Sequence, residues 1–180
     1  MTPIAHVGAG VVGAFLLDTF LFHRPLTTET LGLAVGLSLL PDLDIPIIAV
    51  RNQNWPPRER NNHHTYFTHT PLFYLAITLA LALFLPTRVV VLFGVLTLLH
   101  LAFDGWATDD GIMWLWPYSK KQYTLFSASA RGDDVYGWRY YRHHYLQEHR
   151  YAALTEMGLT VMGLAVFVTK FLPLARNLWL

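Results

Sequence analysis

Residues 89–104 read VVVLFGVLTLLHLAFD. From Val89 to Phe103 only Thr97 and His100 carry polar side chains, and Asp104 follows at once. An apolar run of this kind predicts a buried or membrane-embedded helix. His100 and Asp104 stand at i and i+4, one turn apart on the same helix face. Ionisable groups closing an apolar helix are expensive to keep, which favours a function for them. An imidazole and a carboxylate at that spacing can grip one Zn²⁺, Mn²⁺ or related ion. The plainer reading of the same pair is a hydrogen-bonded helix end.

Outward from this stretch the chain holds four more apolar segments: about Ile4–Phe22, Leu31–Val50, Pro71–Leu85 and Tyr151–Leu172. A spanning helix needs about 20 mostly apolar residues. The first, second and last segments meet that length, while 71–85 and 89–103 are short without their polar flanks. Pro41 and Pro46 predict a break in the second half of the second segment. Composition agrees with a membrane protein. The 180 residues are 53% hydrophobic and only 14% charged, against roughly 25% charged residues in soluble domains. Mean hydropathy is +0.33. A net charge of +1 excludes a strongly basic nucleic-acid binder, and no nucleic-acid partner is expected. There is no cysteine, so a metal site must be built from His, Asp and Glu. The first Lys or Arg is Arg24, so no cleavable signal with a basic n-region is evident. The expected fold is all-α: one polytopic bundle over residues 1–180, with about five transmembrane helices and a metal site at one membrane face.

Five spans would place 51–70 and 105–150 on one side. That side carries nine basic residues (Arg51, Arg58, Arg60, Lys120, Lys121, Arg131, Arg139, Arg142, Arg150). The other side carries four (Arg24, Arg88, Lys170, Arg176). The positive-inside rule puts the first side in the cytoplasm. The same assignment gathers His6, His64, His69, His100, Asp104 and Glu156 near that face, with Asp42 and Asp44 toward it.

Asp42 and Asp44 lie in LLPDLDIP, residues 39–46. Alternation at i and i+2 aims both carboxylates one way in an extended stretch, and a cation would relieve their repulsion. His63, His64 and His69 lie in NHHTYFTHTP, residues 62–71. A loop entering the helix at Pro71 can bring His64 and His69 together, while Thr68 can cap that helix. His6 alone reads as a core histidine. Four elements each bringing His or Asp to one face make a shared metal site the stronger reading. Farther on, WRYYRHHYLQEHR, residues 138–150, contains His143, His144, Glu148 and His149. Its tyrosines and arginines suit an interfacial helix on anionic headgroups better than a metal site.

These stretches carry a resemblance. His6, LLPDLD (39–44), HTYFTHT (64–70) and HLAFDGWATDDGIMWLWP (100–117) resemble the YdjM-like family of inner-membrane proteins, predicted to be metal-dependent hydrolases. The likeness covers roughly residues 1–126, followed by a Glu-bearing last helix. It implies metal ligation by His6, Asp42, Asp44, His64, His69, His100 and Asp104. Thr108, Gly111 and Pro117 would shape the loop after the fourth helix, and Glu156 would match a late acidic residue. Thr65 stands where the family usually has Arg and Thr70 where it has Ser, and without that Arg a phosphate-clamping role does not carry over to this spot. Residues 127–150 look like an insertion. A more distant likeness is to zinc-dependent phospholipase C and P1-type nucleases, which implies phosphoester hydrolysis.

The resulting expectation is a multi-pass inner-membrane hydrolase with its site facing the cytoplasm. It would hold two or three divalent ions, zinc or else manganese. Asp42, Asp44, Asp104 or Glu156 would serve as the catalytic carboxylate. Arg139 and Arg142 would hold the headgroup of a lipid or other phosphoester. The competing expectation is a non-enzymatic membrane protein, a metal carrier or a tether for a soluble partner.

Overall fold

The computed structural model describes residues 1–52, 63–107, 111–125 and 150–176. Six α-helices are described: α1 (Pro3–Leu16), α2 (Thr28–Leu39), α3 (Asp44–Asn52), α4 (Pro71–Leu81), α5 (Thr87–Ala107) and α6 (Arg150–Arg176). No strand occurs among the described residues, only an isolated bridge between Ile112 and Tyr123. The all-helical expectation therefore holds.

Among the described residues the candidate spans number three or four, not five. Three helical stretches are long and apolar enough to cross a membrane: Pro3–Leu21, Thr87–Trp106 and Arg150–Leu172. A fourth is possible if Thr28–Leu39 and Pro41–Ile47 act as one span bent by 57°. Proline causes the bend, as the sequence predicts: Pro41 opens a short 3₁₀ turn, Pro41–Leu43, between α2 and α3. The segment 71–85 falls short because its regular helix is 11 residues long. At 1.5 Å per residue that reaches about 16 Å, roughly half a hydrocarbon core of about 30 Å.

Chain direction is nonetheless preserved. His69 precedes α4 and Asp104 lies near the end of α5; the two approach within 3.9 Å. At the start of α5, Arg88 pairs with Asp18, past the end of α1. The polypeptide thus passes from one end of the bundle to the other between residues 70 and 88.

α1 is the central helix, packing on α2, α5 and α6. Pro3 sits in its first turn, where a missing N–H costs nothing. Glycine permits the closest crossing: a Cβ on Gly8 would lie 2.4 Å from the Leu159 carbonyl oxygen, and one on Gly163 would lie 2.5 Å from Gly8 Cα. Small residues that let helix backbones touch are the usual device where apolar packing alone cannot drive association. Val11, Ala14, Leu31, Ala34, Leu92 and Leu96 fill the space between α1, α2 and α5. Outward, Leu79 on α4 and Leu154, Val161 and Leu164 on α6 are each at least 60% exposed. So large an apolar exterior suits lipid rather than water.

Candidate metal centre

Five separate elements deliver histidine or aspartate to one end of the bundle. α1 brings His6, the α2–α3 bend brings Asp42 and Asp44, the 3₁₀ turns His63–Thr65 and Phe67–His69 bring three histidines, and α5 brings His100 and Asp104. His6, His64, His69, His100 and Asp104 are all buried, His69 completely.

Two groups have metal-ligand spacing. Asp42, His69, His100 and Asp104 offer ligand atoms all within 4.8 Å of one another, and so do His63, His64 and His69. Asp42 Oδ1 stands at the junction, 3.5 Å from His63 Nε2, 3.5 Å from His100 Nε2 and 3.6 Å from His69 Nε2. Asp104 Oδ2 lies 2.9 Å from His100 Nε2 and 3.7 Å from His64 Nε2. The i,i+4 spacing of His100 and Asp104 thus works as the helix geometry predicts.

The outer nitrogens settle which ring atoms face inward. His100 Nδ1 lies 2.6 Å from the Ser38 carbonyl oxygen, to which it donates. His69 Nδ1 lies 3.1 Å from Asp44 Oδ2. A carbonyl or carboxylate that takes the Nδ1 proton leaves the lone pair on Nε2, the arrangement found around metal-ligating histidines. The Nε2 atoms of both rings are buried and have no hydrogen-bond partner among the described residues. Buried polar atoms rarely stay unpaired. Two such nitrogens converging on two carboxylates suit a divalent cation better than a proton. The donor set, imidazole plus carboxylate without thiolate, favours zinc, manganese, iron and related ions.

Asp44 corrects one expectation. Asp42 and Asp44 do not lie on an extended strand facing one ion, because the chain there is a 3₁₀ turn leading into α3. The two carboxylates sit on opposite sides of the His69 ring, Asp42 toward Nε2 and Asp44 on Nδ1. Asp44 therefore orients a histidine, and Thr68 Oγ1 in turn donates to Asp44 Oδ2. Thr68 does not cap α4: the N-cap position is Thr70, without a side-chain cap. His6 stacks on His100 with ring centroids 3.7 Å apart and lies 3.1 Å from Asp104 Oδ1 through Nε2. It buttresses the group rather than joining either of the two sets. The Met1 amino group also donates to Asp104 Oδ1, at 3.0 Å.

Glu156 is buried, and both its oxygens are engaged by Thr2, Oε1 accepting from the backbone N–H (3.1 Å) and Oε2 from the hydroxyl (2.7 Å). This ties α6 to the start of α1. Gly111 adopts φ +65°, where L side chains are strained, and a Cβ there would meet the Tyr123 carbonyl at 2.1 Å. Trp116–Pro117 is cis. Arg139, Arg142, Thr108, His143, His144, Glu148 and His149 lie outside the described residues, as does the expected insertion apart from Arg150.

Electrostatics of the loop histidines follow their neighbours. Burial alone would lower the pKa of His69, but the nearby carboxylates of Asp42 and Asp44 outweigh it and raise the value above 6.5. Burial wins at His63, whose pKa is lowered despite Asp42.

Two features were harder to see in sequence. The motif around His64 and His69 gives His63 no site role, yet its ring lies against the Asp42 carboxylate. At the far end of the bundle Asp18 accepts from Arg88 Nε (2.8 Å) and Nη2 (2.6 Å), and Arg88 also bonds Thr30 Oγ1. The available signal was a lone Asp inside an apolar segment, which requires a cation at equal depth.

Fold and site together define an all-helical membrane protein with a buried His/Asp cluster able to hold a metal ion. Residues 1–174 match the family described as YdjM inner membrane protein, and the chain belongs to that family. No curated protein and no solved structure matches the chain, so the likeness to phospholipase C and P1-type nucleases gains no support there.

Proposed function

We propose that the protein is a divalent-metal-dependent hydrolase of the inner membrane. Its substrate is a phosphoester presented at the cytoplasmic face, with a lipid headgroup as the favoured form. The observation that carries this reading is the convergence of His69 Nε2 and His100 Nε2, neither with a hydrogen bond, on the carboxylates of Asp42 and Asp104. A divalent cation held there supplies Lewis acidity toward an ester oxygen and makes water a stronger acid near neutral pH. His100 and His69 hold it in fixed tautomers, set by the Ser38 carbonyl and by Asp44. Asp104, 1% exposed, is the buried anion, whereas Asp42 is 14% exposed and faces the approach. The basic excess of the loops on this side supports the cytoplasmic orientation, and adjacency to the bilayer supports a lipid substrate.

Purified protein should contain divalent metal by elemental analysis and cleave a phosphodiester reporter. Hydrolysis should stop on chelation and return on adding zinc or manganese. Bound metal with no cleavage of any phosphoester reporter would replace the enzyme by a carrier or tether. Orientation is tested separately, since the chain has no native cysteine. A thiol probe should miss Lys120→Cys and label Thr28→Cys from outside intact cells, and the reverse pattern would invert the assignment.

A further inference from the structure

Asp42, His69, His100 and Asp104 supply one group of ligand atoms, all within 4.8 Å of one another. His63 and His64 are left over, yet they pack on the same group. The His63 ring centroid is 4.2 Å from that of His64 and 4.7 Å from that of His69. His69 cannot serve two ions, because its Nδ1 is held by Asp44 and Nε2 has one lone pair. A carboxylate is different, since its two oxygens offer about four lone-pair sites. Asp42 Oδ1 is equidistant, at 3.5 Å, from the Nε2 atoms of His63 and His100. Asp104 Oδ2 likewise lies between His100 and His64, at 2.9 and 3.7 Å. Both carboxylates therefore stand between the two pairs of rings.

We infer that His63 and His64 form a second divalent-cation position beside the first, with the carboxylates of Asp42 and Asp104 shared between the two. The inference rests on the metal-dependent reading above and names a ligand, His63, that the sequence motifs leave out. Charge gives the second ion a purpose. Asp42, Asp44, Asp104 and Glu156 carry four negative charges against one positive charge on the Met1 amino group, so one divalent ion leaves the group anionic and repels a phosphoester. A second turns the balance positive and attracts it. His63 is the most exposed of these histidines, at 25%, so the second position is the outer one and faces arriving substrate.

The test loads chelator-stripped, full-length protein with Mn²⁺ or Zn²⁺ and counts equivalents by elemental analysis. Wild type should take up two. Mn²⁺ electron paramagnetic resonance should show the exchange coupling of ions joined by carboxylates. His63→Ala should take up one equivalent and show the uncoupled six-line signal of a single ion, with helicity by circular dichroism unchanged. If His63→Ala fails to insert, His63→Gln preserves bulk and polarity and should show the same loss. Two coupled equivalents retained in the His63 variant, or a single equivalent in wild type, would overturn the second position while leaving the first. No uptake by wild type would overturn the metal-dependent reading as well.

Discussion

The two ends of the bundle both bury charge, and they do so in opposite ways. At the far end Asp18 is paired with Arg88 through two short bonds, and Thr30 completes the set. Thr30 is itself braced by Thr27, which caps α2. Three elements are locked together and each polar group has its complement. At the near end carboxylates and imidazoles crowd together, and ring nitrogens of His6, His69 and His100 remain without hydrogen bonds. Burial of polar groups is affordable only when they are satisfied. A closed ion pair is what structure alone requires; an open cluster with oriented lone pairs marks a place for a ligand. Both ends would look alike in a count of buried ionisable residues, so the distinction lies in hydrogen-bond completeness.

The contrast is sharpest if each end is broken separately. Asp104→Asn keeps shape and removes the charge shared by His6, His64 and His100. Metal content should fall and, on the proposed hydrolase function, cleavage of a phosphodiester reporter should drop by about 10³-fold or more, since the cation would supply most of the rate. His100→Ala should match it, with helicity retained in both. Full metal occupancy in either variant would remove α5 from the site.

At the far end the expected loss is of stability instead. Arg88→Met leaves Asp18 buried and uncompensated, a change worth about 3–5 kcal/mol for buried pairs. Because Arg88 is 24% exposed, the low end of that range applies. Thermal unfolding in detergent should begin well below that of wild type, while metal bound per folded chain stays the same. Removing both partners, Asp18→Leu with Arg88→Met, should recover much of the loss. Altered metal affinity in the folded single variant would show that the two ends are coupled, and would undo the contrast.

Smaller effects come from the residues that orient ligands. Asp44→Asn removes the carboxylate that holds His69 Nδ1, and such changes weaken metal binding by about 10–100-fold. Isothermal titration should find the stoichiometry unchanged and the affinity reduced; loss of a whole equivalent would make Asp44 a direct ligand.

The gentlest probe is pH. His69 holds its proton above the usual value because of Asp42 and Asp44, and an incoming cation must displace that proton. Apparent affinity should therefore rise with pH from 6.5 through the raised value, by at most about tenfold per unit for this one proton. Without metal the sign reverses: protonated His69 stabilises the fold below pH 6.5, and that contribution fades as pH passes the raised value. A metal affinity flat across this range would mean that His69 is not deprotonated on binding.

Helical periodicity made His100 and Asp104 readable as a pair, and the prolines at 41 and 46 announced the break before α3. The number of spans was less legible. Residues 71–85 look apolar throughout, but helix length depends on where Leu81 hands over to a turn, and hydrophobicity does not encode that point. Asp42 and Asp44 show the same limit more finely. A two-residue spacing has one meaning on a strand and another in a 3₁₀ turn, so their division across His69 could be seen only once the turn was known.

What the sequence determined by itself was chemical inventory and local geometry. Sparse charge, absent cysteine, long apolar runs and His or Asp near segment ends made this an all-helical membrane chain with metal-capable residues, because solvent preference and helical repeat act over neighbouring residues. Tertiary structure decided which of those residues meet. His69 and Asp104 are 35 positions apart, His6 and Asp104 are separated by 98, and Asp18 and Arg88 by 70. Their contacts depend on how the helices cross: Gly8 and Gly163 let α1 and α6 approach closely, and a 57° bend at Pro41 turns the chain that carries Asp42. The roles of ligand, orienting partner and structural lock follow from those crossings, because a side chain's chemistry is set by the atoms packed against it.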